Sequence, residues 1–162
     1  MSEDLSAIAR GIIDANLYMT LGTADHDGRP WTTPVYFACA DYTRFYWVSS
    51  TEATHSRNIA QRPQVSIVIF DSRVPPYSGQ AVYLSAAAIE LHGDDLHRGL
   101  EVYPGPPEHG ASTVTLEQVS PPSPYRLYRA TAAEHSILCP REPRQPCARH
   151  GIAADHRIGV TP

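Results

Sequence analysis

Apolar residues at Leu5, Ile8, Ala9, Ile12 and Ile13 recur at helical spacing and predict an amphipathic helix over 3–16. Ser2 is its expected cap, with acids in the first turn. The period then shortens. Tyr18-Met19-Thr20-Leu21-Gly22-Thr23-Ala24 reads as a strand, and Asp25-His26-Asp27-Gly28-Arg29 carries the Asp-Gly mark of a tight hairpin turn. A second strand is expected from Pro30 to Ala40. Asp41-Tyr42-Thr43 marks another turn, leading into an aromatic strand from Phe45 to Ser49. The turns alone thus define three antiparallel strands in meander order.

A short helix from about Ser56 to Gln61 is expected next, stopped by Pro63. Val65-Ser66-Ile67-Val68-Ile69-Phe70 is β-branched with few polar positions, the pattern of a strand buried on both faces. A proline-bearing turn, Asp71 to Gly79, leads to a long strand, Gln80 to Leu91. The Ala86-Ala87-Ala88 stretch of that strand implies close approach of another element. Residues 94–102 fit a short helix. Six prolines between Tyr103 and Pro124 predict an irregular surface loop. Tyr125 to Leu138 is strand-like, Pro140 to Pro146 is a loop, and Asp155 to Val160 a last short strand. There are no internal repeats. Five or six strands with short turns, one leading helix and no βαβ rhythm point to a small antiparallel barrel.

A chain of 162 residues is expected to form a single domain over 1–162 that buries about two-thirds of its unfolded surface, without help from disulfide or metal. The three cysteines, the acidic start Met1-Ser2-Glu3-Asp4 and the lack of any apolar run of membrane-spanning length lead to the expectation of a reduced, cytoplasmic protein that spans no membrane. The net charge of −4 argues against a general nucleic-acid binder. It leaves room for a small anionic ligand, because one local pocket with an arginine suffices.

The chemistry-bearing stretch is the corner from Phe45-Tyr46-Trp47-Val48-Ser49-Ser50 to His55-Ser56-Arg57-Asn58. Hydroxyls, a helix start with unpaired N–H groups and a planar guanidinium together make a phosphate receptor. The plainer alternative makes Thr54 or Ser56 an ordinary cap and Arg57 a solvated charge. In Trp31-Thr32-Thr33-Pro34-Val35-Tyr36 a proline removes one ladder donor, which leaves neighbouring amides free for a ligand or marks a protected edge strand. Gln80 brings an amide to the start of the long strand, facing either a ligand or solvent. Trp31 and Trp47 either flank a bound ring or, the safer assignment, fill the barrel core, and His55 lies either beside the phosphate or in solvent.

These pieces in this order resemble the pyridoxamine 5′-phosphate oxidase-like proteins, the flavin-binding split barrels, from about Leu5 to Leu91. Tyr125-Arg126-Leu127-Tyr128-Arg129 and Asp155-His156-Arg157 resemble their closing strands. The resemblance implies a six-stranded antiparallel split β-barrel, a homodimer, and FMN in a cleft between subunits. It would place Thr32, Thr33, Pro34 and Val35 against the isoalloxazine ring, Val48 and Ser49 near the ribityl chain, and Ser56, Arg57 and Asn58 on the phosphate. Gln80 would reach the ring. The implied activity is an FMN-dependent oxidoreductase acting by hydride transfer on a small organic substrate. The oxidases have a lysine where this chain has Asn58, and their C-terminal substrate-binding pattern is missing between Tyr125 and Pro162, so vitamin B6 oxidation is not implied. Deazaflavin F420 in place of FMN, or a non-catalytic carrier or sensor of flavin, F420 or haem, are the alternatives. Cys139, Cys147, His150 and His156 crowd the C-terminus, but their spacings match neither a paired Cys-x-x-Cys nor a zinc-finger pattern, so no metal site is expected.

Overall fold

The computed structural model describes residues 4–162. Three α-helices, α1 (Leu5–Ala15), α2 (Thr54–Gln61) and α3 (Gly93–Val102), accompany eight strands. Six of these strands have seven residues or more: β1 (Tyr18–Ala24), β2 (Pro30–Tyr36), β4 (Arg44–Ser50), β5 (Gln64–Phe70), β6 (Ala81–Glu90) and β7 (Tyr125–Leu138). Two are short, β3 (Ala38–Ala40) and β8 (Arg157–Val160). All join one antiparallel sheet in the order β2-β1-β5-β6-β7-β4-β3, with β8 added along β7. The two ends of that order, β2 and β3, are separated in the chain by Phe37 alone. A sheet whose opposite edges are joined by one residue must curl round on itself, and the six long strands form the split barrel that the family resemblance implied.

The helix expected over 3–16 is α1. Asp4 caps it, accepting the Ser6 amide at 3.0 Å; the expected cap, Ser2, lies outside the described residues. Ala9 and Ile13 of α1 join Met19, Leu21, Phe45, Trp47, Ile67, Ile69, Val82 and Ile137 in the barrel core. The strand expected from Pro30 to Ala40 is broken in two, because Phe37 turns its amide to the Leu17 carbonyl while β2 pairs with β1 and β3 with β4.

The strand buried on both faces is β4, not β5. Phe45 and Trp47 point into the barrel, while Tyr46 between them lies under α3 in a second core with Leu91, Leu96, Val119 and Leu127. That packing is tight: a β-carbon on Gly99 of α3 would come within 2.7 Å of Leu91 Cδ1. In β5, Val65, Ile67 and Ile69 are buried, but Gln64, Ser66 and Phe70 are exposed, since no element among the described residues covers its outer face. Helices α1 and α2 both lie against β6, whose Ala86 and Ala88 are buried. The proline-rich segment 103–124 is irregular apart from two short 3₁₀ turns.

Candidate functional site

Helix α2 starts two residues earlier than the sequence pattern predicts, at Thr54, and its cap residue is Ala53, which offers no side-chain acceptor. The Ala53 amide bonds Ser50 O at 3.2 Å, and the first intrahelical bond runs from the Arg57 amide to Ala53 O at 3.0 Å. The amides of Thr54, His55 and Ser56 therefore precede the helical ladder, with no capping side chain to receive them. Neither Thr54 nor Ser56 is the cap. The helix is fixed by burying His55, Ser56, Asn58 and Ile59 against the barrel, where it packs on β1, β2 and β6. Arg57, Ala60 and Gln61 remain on the outside.

Around this start the expected phosphate residues part company. Arg57 is exposed and faces Glu52 at 3.7 Å, a solvent-screened contact of little strength. It lines a cleft of about 420 Å³ together with Thr51, Ser56, Glu90, His92 and Tyr128. The Ser56 hydroxyl is buried in that wall without a hydrogen-bond partner among the described residues. Glu90 is the acid of the cleft, and its charge is met by Arg126 at 3.0 Å. Asn58 points elsewhere. Its Nδ2 donates to Thr23 Oγ1 at 3.0 Å in a buried contact between α2 and β1. Residues 57 and 58 are about 100° apart around a helix, so the one that anchors the inner face cannot also face the cleft.

His55 is neither in solvent nor free. It is buried, its Nε2 lies 2.8 Å from Ser49 Oγ, and burial pushes its pKa below the ordinary histidine value. Val48 and Ser49 stand on β4 beside this contact, partly exposed. On β2, Thr32 and Pro34 are exposed, Thr33 half-buried and Val35 buried. β2 pairs only with β1, so its other edge is open along Thr32–Pro34. Trp31 is 47% exposed on that strand, against the expectation of a core position. Trp47 is wholly buried, stacked on Tyr128 with ring centroids 5.7 Å apart.

Gln80 is not brought to this corner. It precedes β6, whose far end carries Ala88 and Glu90 into the cleft, so along the strand the two lie about 33 Å apart at about 3.3 Å per residue. Gln80 instead lines a cleft with Tyr77, Leu138 and Arg141, its Oε1 buried without a hydrogen-bond partner among the described residues. The residues that sequence reasoning missed, Thr23, Tyr128, Glu90 and Arg126, reach the corner through strand pairing. Trp47 is opposite Tyr128 and Ser49 opposite Arg126. Nothing local to Tyr125–Arg129 announces that β7 lies next to β4.

At the C-terminus the structure departs from the spacing argument most sharply. Cys139, Cys147, His150 and His156 bring one ligand atom each to within 4.8 Å of all the others. This cluster belongs to the β7–β8 connection and not to α2.

The donor set at α2 suits a phosphate: three uncapped amides, one exposed guanidinium, and nearby hydroxyls from Ser49, Thr51 and Ser56. Among the described residues no helix is long and apolar enough to cross a membrane. Comparison with known proteins agrees with the fold. The family model described as pyridoxamine 5′-phosphate oxidase matches residues 6–139. No curated protein matches the chain. Among solved structures, a haem-binding protein from Mycobacterium smegmatis superposes with a TM-score of 0.69 at 18% identity, over 98% of this chain and 59% of that one. This chain therefore spans well under two-thirds of that neighbour's length. The haem storage protein HutZ of Vibrio cholerae gives 0.58 at 17% identity, covering 80% of this chain and 91% of its own. An FAD-binding protein from Mesorhizobium loti gives 0.61 at 20% identity, covering 82% and 92%.

Proposed function

The chain belongs to the pyridoxamine 5′-phosphate oxidase family, and from that premise we propose that it binds FMN and acts as an oxidoreductase on a small organic substrate in the cytoplasm. The observation that carries this reading is the uncapped start of α2, with Arg57 beside it and the open, proline-interrupted edge of β2 on the neighbouring face of the same helix. When bound, a flavin supplies the hydride chemistry. The chain's own work is to hold it. The amides of Thr54, His55 and Ser56 and the Arg57 guanidinium receive the phosphate. Val48 and Ser49 flank the chain that follows, and backbone donors between Thr32 and Val35 face the ring, where they favour its anionic form. Asn58 holds α2 onto β1 instead of touching phosphate, so Arg57 carries the cationic role alone in this part of the site.

The reading includes a homodimer. Gln80 stands at the wrong end of β6 to meet the corner of its own chain, with a buried carbonyl oxygen unmatched. A second copy can bring that residue over the exposed edge of β2, and the uncovered outer face of β5 with Phe70 is available for the contact.

Non-catalytic binding of haem, FMN or deazaflavin F420 is the second reading, favoured by the two haem proteins among the structural neighbours. The visible spectrum of freshly purified protein separates the cofactors. A yellow chromophore released on denaturation with the mass of FMN supports the first reading, and a Soret band replaces it with the second. Stopped-flow mixing of the loaded protein with NADH, NADPH or reduced F420 tests catalysis: bleaching of the flavin band is expected, and silence with every donor favours a carrier. Light scattering at micromolar concentration is expected to give twice the chain mass. A flavin-loaded monomer rejects the shared cleft.

A further inference from the structure

The segment between β7 and β8 runs from Cys139 to His156 without regular structure, and among residues 140–155 Cys147 alone is buried. A loop of this length with no apolar side chains folded under it has little to offset the entropy of ordering it. It is nevertheless folded around a definite point. Cys139 directly follows β7 and His156 directly precedes β8, and the two are tied by the Cys139 amide donating to His156 O at 2.9 Å. From the far side of the loop comes Cys147-Ala148-Arg149-His150, closed as a tight turn. The Gly151 amide donates to Cys147 O at 2.7 Å, and Gly151 takes a left-handed φ of 68°. That turn sets the backbone amides of Arg149 and His150 beside Cys147 Sγ. Arg141 pins the rim by bonding Asp155 Oδ1 at 2.6 Å and Gln145 O at 3.2 Å.

At the centre, Cys139 Sγ and Cys147 Sγ are 3.2 Å apart. His150 Nδ1 is 3.5 Å from each sulfur and 3.1 Å from His156 Nε2. A zinc ion bound tetrahedrally by two thiolates and two imidazoles sets edges of about 3.8 Å between sulfurs, about 3.6 Å between sulfur and nitrogen and about 3.3 Å between nitrogens. The sulfur–nitrogen and nitrogen–nitrogen separations lie within about 0.2 Å of these edges, and the two sulfurs stand about 0.6 Å closer than a shared ion would hold them. The orientation of His156 is also that of a ligand. Its Nδ1 lies 3.0 Å from Ala154 O, so Nδ1 carries the proton and donates to that carbonyl, leaving the Nε2 lone pair aimed at the cluster. A backbone carbonyl behind the imidazole is the usual outer partner of a metal-bound histidine.

We propose that Cys139, Cys147, His150 and His156 form a structural zinc site that clamps the β7–β8 connection. Four protein ligands close the coordination sphere, so the ion has no open position and works as a cross-link rather than as a catalyst. A set of two sulfurs and two nitrogens in a tetrahedron selects zinc over the harder divalent ions. The sequence disguises the site because its two outer ligands come from the strand ends, eighteen residues apart counting both, and only Cys147 and His150 sit at close spacing.

The test uses the full chain, purified under reducing conditions. Elemental analysis is expected to find one zinc per chain. Titration of the demetallated protein with Co²⁺ is expected to produce visible ligand-field bands and thiolate charge transfer, saturating at one equivalent and displaced by Zn²⁺. Cys147→Ser and His150→Ala are each expected to weaken Zn²⁺ binding by more than the about 10–100-fold typical of losing an outer partner. Cys39→Ser, away from the cluster, is expected to leave binding unchanged and serves as the folded thiol control. No saturable metal binding by the reduced wild-type chain overturns the proposal, as does Co²⁺ binding that survives Cys147→Ser. Stoichiometric iron or copper in place of zinc overturns the identity of the ion.

Discussion

The α2 corner and the β7–β8 loop are two constellations of polar side chains on one barrel, assembled by opposite means. At the corner, the barrel core does the positioning. Ile59 sits in the hydrophobic core, Asn58 bonds a buried threonine, and His55 and Ser56 are buried with them. Arg57 is then displayed outward by a helix that cannot shift without opening the core. In the loop there is no such support, and the thiols and imidazoles are themselves the centre. A site resting on a core exists before its ligand arrives. A site with only its ligand atoms at the centre is ordered by what those atoms bind.

The largest effect that separates the two belongs to the core. Trp47→Ala removes a wholly buried indole stacked on Tyr128 and is expected to cost about 3–5 kcal/mol, read as a lower urea midpoint. Its damage extends to the corner, because β4 carries Val48 and Ser49 and its partner strand β7 carries Tyr128. Substitution of an exposed loop residue outside the cluster, such as Arg144→Ala, is expected to change stability by less than about 0.5 kcal/mol. Equal losses from both would mean that loop and barrel unfold as one unit, and the contrast would fail.

Next in size is Asn58→Ala. It strands the Thr23 hydroxyl in a buried contact and is expected to cost about 1–3 kcal/mol of stability while leaving FMN affinity within about twofold. A large loss of affinity with unchanged stability would return Asn58 to the phosphate. Arg57→Ala is the mirror experiment. Stability should barely change at this exposed position, while FMN binding weakens by about tenfold, near the lower limit for a charged hydrogen bond because solvent reaches the guanidinium. Unaltered affinity in a fluorescence titration would reject the phosphate role.

Most of the barrel was legible because its signals are local. The Asp-Gly turn, the helical stripe of Leu5 to Ile13 and Pro63 each act within a few residues, and the elements stand where these place them. What could not be read was whatever depended on a partner strand or on a covering element. β4 and β5 are both apolar runs, and only the seating of α3 over Tyr46 decides which is covered twice. Trp31 and Trp47 look alike in sequence, yet one lies on an edge strand and the other faces the barrel interior. Asn58 and Arg57 are adjacent, so the sequence offered them together to one ligand, whereas helical rotation separates them. The Cys/His cluster was illegible for a related reason. Its outer members are brought together by the pairing of β7 with β8, and spacing along the chain carries no trace of that.

The smallest effect is a pH dependence, and it tests whether the corner is preformed. Burial holds the His55 pKa below its ordinary value near 6.5, so the folded protein prefers the neutral ring more than the unfolded chain does. The sign follows directly: as pH falls below about 6.5 the unfolded state takes up a proton that the folded state resists, and stability declines until the folded pKa is passed. Urea midpoints from pH 7.5 to 5 should show this decline in the wild type and lose that component in His55→Asn. A phosphate dianion at the start of α2 changes the balance, because His55 lies in the first turn beside Ser49. Negative charge there favours the imidazolium and raises the folded pKa. With FMN bound, the acid-side decline should therefore shrink beyond the uniform gain that any ligand brings, whereas binding remote from His55 would raise the whole curve without changing its shape.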